Sequence, residues 1–168
     1  KIFYSNPLEI IKKKKIDILF EAIGLSDGIS KKIVEIAIKN KIHVITPNKA
    51  LISKHGDYLS KLAEKNKVNL EFEASVGGGI PILRTIKEGL ATNKISKVYG
   101  ILNGTSNYIL SEMETTKNSF EDVLKKAQSL GYAEPGNPKL DLNGYDALAK
   151  VKILSSLSFN NKISNSKY

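Results

Sequence analysis

Two hydrophobic periods alternate along the first half of the chain. IDILFEAIG at 16–24 is an apolar run closed by glycine, the pattern of a buried strand. Over 26–40, Ile29, Ile33, Ile36 and Ala37 recur at helical spacing. HVITP at 43–47 reads as a second, β-branched strand. Leu51, Tyr58, Leu59, Leu62 and Ala63 share one face of a helix over 50–65, and VNLEFEASV at 68–76 alternates like a strand. Strand, helix, strand, helix, strand with short connections predicts an α/β fold with a parallel sheet covered by helices. Right-handed crossovers bring all the strand C-termini to one edge, where such sheets bind ligands.

The pattern changes after residue 76. GGGIP at 77–81 is a glycine turn with Pro81 close to a helix start. The spacing predicts a helix through Leu90, a strand ISKVYGIL at 95–102 and a helix over 103–115. Ser119 with Glu121 and Asp122 in the first turn opens a helix to Leu130, and Gly131 is a natural stop. A last helix is expected over 144–159, followed by the polar tail NNKISNSKY. There is no internal repeat.

Composition narrows the possibilities. The 168 residues contain no cysteine, which excludes disulfides and thiolate metal sites. No apolar run reaches the ~18 residues of a membrane span. The start, KIFYSNPLEI, lacks a signal-peptide cleavage pattern, so a cytoplasmic location is expected. The net charge of +9 raises the question of a nucleic-acid surface. Against it, Arg84 is the sole arginine, the residue that base readout prefers, and the lysines are spread along the chain. The run KKKK at 12–15 reads as a solvated helix end. No nucleic-acid partner is expected.

The densest chemistry lies in GYAEPGNPKLDLNGYDALAK at 131–150, which gathers Glu134, Asp141, Asp146 and Lys150 around a Gly/Asn/Pro turn. Asp146 and Lys150 are spaced to share a helix face; the plain reading is an exposed ion pair worth ~0.3–0.5 kcal/mol. Glu134 reads plainly as a loop carboxylate, Asp141 as a helix N-cap, and Lys49 as a helix-entry lysine beyond the second strand. Gly104-Thr105 opens a helix after a strand, and a helix N-terminus suits a carboxylate ligand. Asn103-Gly104-Thr105 also fits a glycosylation sequon, without meaning in a cytoplasmic chain. His43 and His55 show no ligand spacing.

VITPNKALISKHGDYLSKLA, EFEASVGGGIPILRTIKEGL, GILNGTSNYIL, AQSLGYAE and DLNGYDALAK stand in the order and spacing of homoserine dehydrogenases, and the chain resembles that family from residue 16 to 159. The resemblance implies NAD(P)-dependent interconversion of L-homoserine and L-aspartate 4-semialdehyde, on the route to threonine, methionine and isoleucine. It implies a partial Rossmann-like domain over 1–76, then an α+β substrate and dimerisation domain over 77–168. Lys150 becomes the acid/base for the substrate oxygen, a task open to a lysine whose proton affinity is brought toward neutrality by burial or a neighbouring cation. Asp146 orients that ammonium and binds substrate. Glu134 takes the substrate α-ammonium, Asp141 lies near it, and Gly104 and Thr105 lie beside substrate or nicotinamide. Lys49 serves both catalysis and the cofactor, its charge stabilising the substrate oxygen. Ile23, Gly24 and Gly131 meet the cofactor. Glu73, Val76, Gly78 and Ile80 hold a monovalent cation, sodium, through backbone carbonyls. A homodimer is expected. The loop after Glu134 is one residue longer than the usual family pattern.

A nucleotide-binding sheet ordinarily opens with a strand and a Gly-x-Gly-x-x-Gly turn; the GGG at 77–79 lies after several strands and is not that turn. An internal piece of a longer protein, inactive by itself, is therefore expected. Another NAD(P)-dependent semialdehyde or amino-acid dehydrogenase of the same two-domain plan is the alternative, separable by substrate profiling. A basic nucleic-acid module is a third reading, which a salt-titrated binding assay tests.

Overall fold

The computed structural model describes residues 6–13, 15–133 and 142–159. Its chain divides into two compact units, residues 1–95 with 152–168 and residues 96–151, the second division falling inside the last helix.

The first unit holds α1 (Pro7–Lys13), β1 (Ile18–Phe20), α2 (Ile29–Lys39), β2 (His43–Ile45), α3 (Lys49–Asn66) and β3 (Leu70–Glu71). A single 3-10 turn at Glu73–Ser75 follows, then the short α4 (Ile82–Arg84) and a wide turn at Thr85–Gly89. α1, whose extent the sequence reading did not give, ends inside the lysine run that was read as a helix end. The three strands are parallel in the order β1-β2-β3, with Leu19 opposite Val44 and Val44 opposite Leu70. Sequential order with right-handed crossovers puts both connecting helices on the same face. There Val44, Leu70, Ile33, Val34, Ala37, Ile38, Leu51, Leu59 and Ala63 form the core. Alternation sends Ile18 (58% exposed), Phe20 (64%) and Ile45 to the other face, which no described helix of this unit covers. The α/β expectation holds, with helical cover on one face of the sheet.

The strands are shorter than the apolar runs that announce them. β1 ends at Phe20; the Glu21 N–H still donates to the Ile45 carbonyl, and its buried carboxylate bonds Thr46 and the backbone of Ile23. β3 stops at Glu71, and the rest of the alternating run enters the 3-10 turn.

The second unit contains α5 (Gly104–Thr116), α6 (Phe120–Ser129) and the start of α7 (Tyr145–Phe159). Ile109, Val123, Ala127 and Ala133 form its core, with Tyr108, Met113 and Leu124 packed against them. Both complete helices are capped as their sequences demand. The Asn103 side chain accepts from Ser106 N, and Ser119 accepts from Asp122 N. The expected strand at 95–102 is not formed. Residues 94–103 have no regular structure, and Val98, Tyr99 and Ile101 are exposed. A strand exists only by pairing, and no other strand lies among the described residues of this unit.

Helix C-termini carry a local cost. Lys41, Lys67 and Lys117, after α2, α3 and α5, all have positive φ (64°, 57° and 60°), a region glycine occupies without strain. Lys117→Gly is expected to raise stability by about 0.5–1 kcal/mol, because the left-handed conformation no longer opposes a Cβ. A urea titration of both proteins checks this; an unchanged or lower midpoint contradicts it.

Candidate functional site

The N-terminus of α5 gathers the chemistry of the second unit. Lys150 Nζ lies 2.7 Å from Asp146 Oδ2 and donates to the Leu102 carbonyl at 2.6 Å. Asn103 Nδ2 donates to the same Asp146 Oδ2 at 3.1 Å. The Lys150 and Asp146 side chains are 17% and 8% exposed, so this is not the solvated pair that spacing alone suggests. Two acceptors fix the ammonium, and two donors fix Asp146 Oδ2.

The turn after α6 is tied to the same helix end. Gly131 N bonds the Gln128 carbonyl and Tyr132 N bonds the Ala127 carbonyl, the pairing of a Schellman stop. That stop needs φ of +78° at Gly131. It directs the Tyr132 carbonyl to Thr105 Oγ1, which donates to it at 2.6 Å. Tyr132 stacks on Tyr108, with ring centroids 4.5 Å apart. Thr105 therefore spends its hydroxyl on holding the turn. Asp146 and Lys150 thus belong to one hydrogen-bonded set with Asn103 and Leu102, Thr105 and the Gly131 turn to a second, and both sets meet the chain at the start of α5, where Gly104 is the first helical residue. Glu134 and Asp141 lie outside the described residues.

In the first unit a buried network shapes the carboxyl edge of the sheet. Glu21, 2% exposed, accepts from Thr46 Oγ1 at 2.6 Å and from Ile23 N at 2.8 Å. Asn48 caps α3 by accepting from Leu51 N, and its amide donates to the Leu25 carbonyl at 2.8 Å. Ile23, Gly24 and Leu25 are thereby pinned beside the start of α3, where Lys49 is exposed. Farther along the loop, Asp27 pairs with Lys54 at 2.6 Å and with His55 at 2.9 Å. Lys54, then Ser26 and His55, hold the Asp27 carboxyl well below the ordinary carboxylate range. Sequence reasoning missed Glu21, Asn48 and Asn103. The available signals were a carboxylate inside an apolar strand, which needs partners, and two asparagines directly before helices.

Glu73, Val76, Gly78 and Ile80 lie in one turn of the first unit. The Glu73 carboxylate accepts from Leu83 N and Arg84 N, capping α4. The carbonyls of Glu73, Gly77 and Ile80 accept from the backbone N–H groups of Val76, Ile80 and Ile82. Each carbonyl has a second lone pair, so oxygen ligation stays chemically open there. Among the described residues no group of three or more His, Asp or Glu side chains could hold a metal ion. A groove of about 450 Å³ in the first unit is lined by Lys54, Asp57, Tyr58, Phe72 and Lys152, among others, and by none of the predicted site residues. No described helix is long and apolar enough to cross a membrane.

By fold this is an α/β chain of the parallel-sheet class, carrying a second unit in which a half-buried lysine meets a buried carboxylate. The family model for the NAD-binding domain of homoserine dehydrogenase matches residues 3–73, and the homoserine dehydrogenase model matches residues 81–168, more than half the chain. The homoserine dehydrogenase of Neisseria gonorrhoeae is 47% identical over 157 residues, covering 94% of this chain and 36% of that protein. That of Bacillus subtilis is 43% identical over 159 residues, again covering 36% of its length. Among solved structures, a homoserine dehydrogenase from Thiobacillus denitrificans superposes with a TM-score of 0.88 at 44% identity, over 95% of this chain and 37% of that one. A hyperthermophilic archaeal homoserine dehydrogenase in complex with NADPH gives 0.87 at 28% identity, over 96% of this chain and 50% of that one. The chain belongs to the homoserine dehydrogenase family, and it spans about 36% of the length of the curated relatives it matches.

Asp146→Ala is expected to destabilise the protein by about 2–3 kcal/mol, since it leaves a mostly buried ammonium without its counter-charge. Asp146→Asn costs less, because the amide oxygen still accepts from Lys150. Equal losses below about 0.5 kcal/mol in a urea titration would place the pair among ordinary exposed ones.

The Asp27 clamp has a defined pH sign. With the folded carboxyl held below its ordinary 3.8, its contribution is complete above that value and is lost as pH falls through the folded value. Amide exchange at residues 23–28, corrected for intrinsic rate, should accelerate in acid, and Asp27→Asn should abolish that pH dependence. Exchange that stays equally acid-sensitive in the variant contradicts the clamp.

Proposed function

We propose that the chain serves a homoserine dehydrogenase that interconverts L-homoserine and L-aspartate 4-semialdehyde in threonine, methionine and isoleucine biosynthesis. The observation that carries this reading is the Lys150–Asp146 pair, half-buried at the lysine, buried at the carboxylate and anchored on the Leu102 carbonyl, in a chain of this family. NAD(P)(H) supplies or accepts the hydride when bound. The carboxyl edge of the parallel sheet fits a nucleotide: its loop is pinned by Glu21 and Asn48 while Ile23 and Leu25 remain exposed. Gly24 and Gly131 offer backbone to the cofactor.

Lys150 gives its proton to the substrate oxygen in the reductive direction and takes it back in the oxidative one. Asp146 holds the ammonium in position and binds substrate, with Glu134 receiving the substrate α-ammonium and Asp141 beside it. The backbone of Gly104 and Thr105, at a helix N-terminus, suits a carboxylate. Lys49 contributes positive charge toward the reacting oxygen. Helix capping does not explain a lysine at that position, because cations are disfavoured at helix N-termini. The carbonyl-rich turn of Glu73, Val76, Gly78 and Ile80 suits a monovalent cation such as sodium, in a structural role. A Rossmann-like domain over 1–76, a substrate and dimerisation domain over 77–168, a homodimer and a cytoplasmic location complete the proposal.

The full-length protein should oxidise NADPH or NADH when given L-aspartate 4-semialdehyde; activity on a different semialdehyde alone would reject the reading. Lys150→Ala should lower kcat by about 100-fold or more while leaving cofactor affinity within about twofold. An unchanged kcat removes the role assigned to Lys150.

A further inference from the structure

We propose that Asn103 is a positioning residue for the acid/base pair, an inference that rests on the assignment of Lys150 as the proton carrier. Asn103 is 7% exposed, and both ends of its side-chain amide are committed. Oδ1 accepts from Ser106 N at 2.8 Å, and Nδ2 donates to Asp146 Oδ2 at 3.1 Å. Its neighbour Leu102 supplies the carbonyl that takes the Lys150 ammonium. One short backbone stretch thus fixes the lysine directly and its carboxylate partner through Asn103.

Capping alone does not require asparagine. Ser, Asp and Asn cap helices about equally well, and Asp adds a favourable charge at a helix N-terminus. The donor to Asp146 is what only the amide supplies at this position. A carboxylate at 103 keeps the cap, loses the donor and sets two negative oxygens against each other. A serine keeps an acceptor for Ser106 N and is too short to bridge to Asp146 while capping. The two roles therefore separate in Asn103→Asp and Asn103→Ser.

In the full-length enzyme, assayed in the reductive direction, both variants should keep the thermal midpoint within a few degrees. Both should lose kcat by about 10- to 100-fold, with the cofactor KM within about twofold. The Asn103→Asp loss should shrink as pH is lowered, because a protonated carboxyl at 103 regains the hydrogen to donate; the Asn103→Ser loss should not. A residue that only caps α5 produces neither the kcat loss nor the pH-dependent recovery. Full activity in Asn103→Asp at neutral pH overturns the proposal, as does a loss in that variant that is independent of pH.

An arm independent of activity separates this proposal from the functional reading. The Asn103 side-chain amide hydrogens should exchange slowly by NMR, and that protection should disappear in Asp146→Ala. If wild-type protein shows no reduction of the semialdehyde yet the protection behaves this way, the activity assignment fails and the hydrogen bond stands. If protection is absent or indifferent to Asp146, the positioning role fails whatever the activity.

Discussion

The site in the second unit depends on an ammonium held between a carboxylate and a backbone carbonyl. Lys150 has Asp146 on one side and Leu102 on the other, both within normal bonding distance. Only the first contact is local to one helix. The i,i+4 spacing brings Lys150 and Asp146 to the same face, while the Leu102 carbonyl is placed by the extended approach to α5. Burial makes this arrangement consequential: an exposed pair is screened and mobile, whereas here the carboxylate is withdrawn from water.

The same economy organises the sheet edge. Glu21 interrupts an apolar strand, which would be costly without partners, and it finds them in Thr46 and the Ile23 backbone. Asn48 then serves two elements at once, capping α3 and holding the Leu25 carbonyl. Asn103 repeats the device in the second unit, capping α5 while holding Asp146. In both units an asparagine placed just before a helix carries the helix cap on one end and the site on the other.

Much of this was legible in the sequence, and the parts that were not have physical reasons. The βαβαβ order, the caps at Ser119 and Gly131, and the shared face of Asp146 and Lys150 follow from local rules, because period, capping and i,i+4 spacing involve residues close in the chain. The strand expected at 95–102 failed because strand formation is a pairing event, and apolar alternation in ISKVYGIL cannot supply a partner. The burial of Asp146 and half-burial of Lys150 were equally invisible to spacing, which gives the same pattern for exposed and enclosed pairs. The partners of His43 and His55, the Asn69 backbone and Asp27, come from 26 and 28 residues away. Glu21, by contrast, announced itself as a charge in an apolar run and could have been taken as a sign of a buried network.

The role of Lys150 depends on where the reacting oxygen sits relative to its ammonium. A crystal structure of the full-length protein with L-homoserine bound tests this most directly. The Lys150 ammonium is expected within about 3 Å of the substrate C4 hydroxyl oxygen, the Asp146 contact intact. A homoserine whose hydroxyl is bound by other groups, with Lys150 facing away from it, would contradict it.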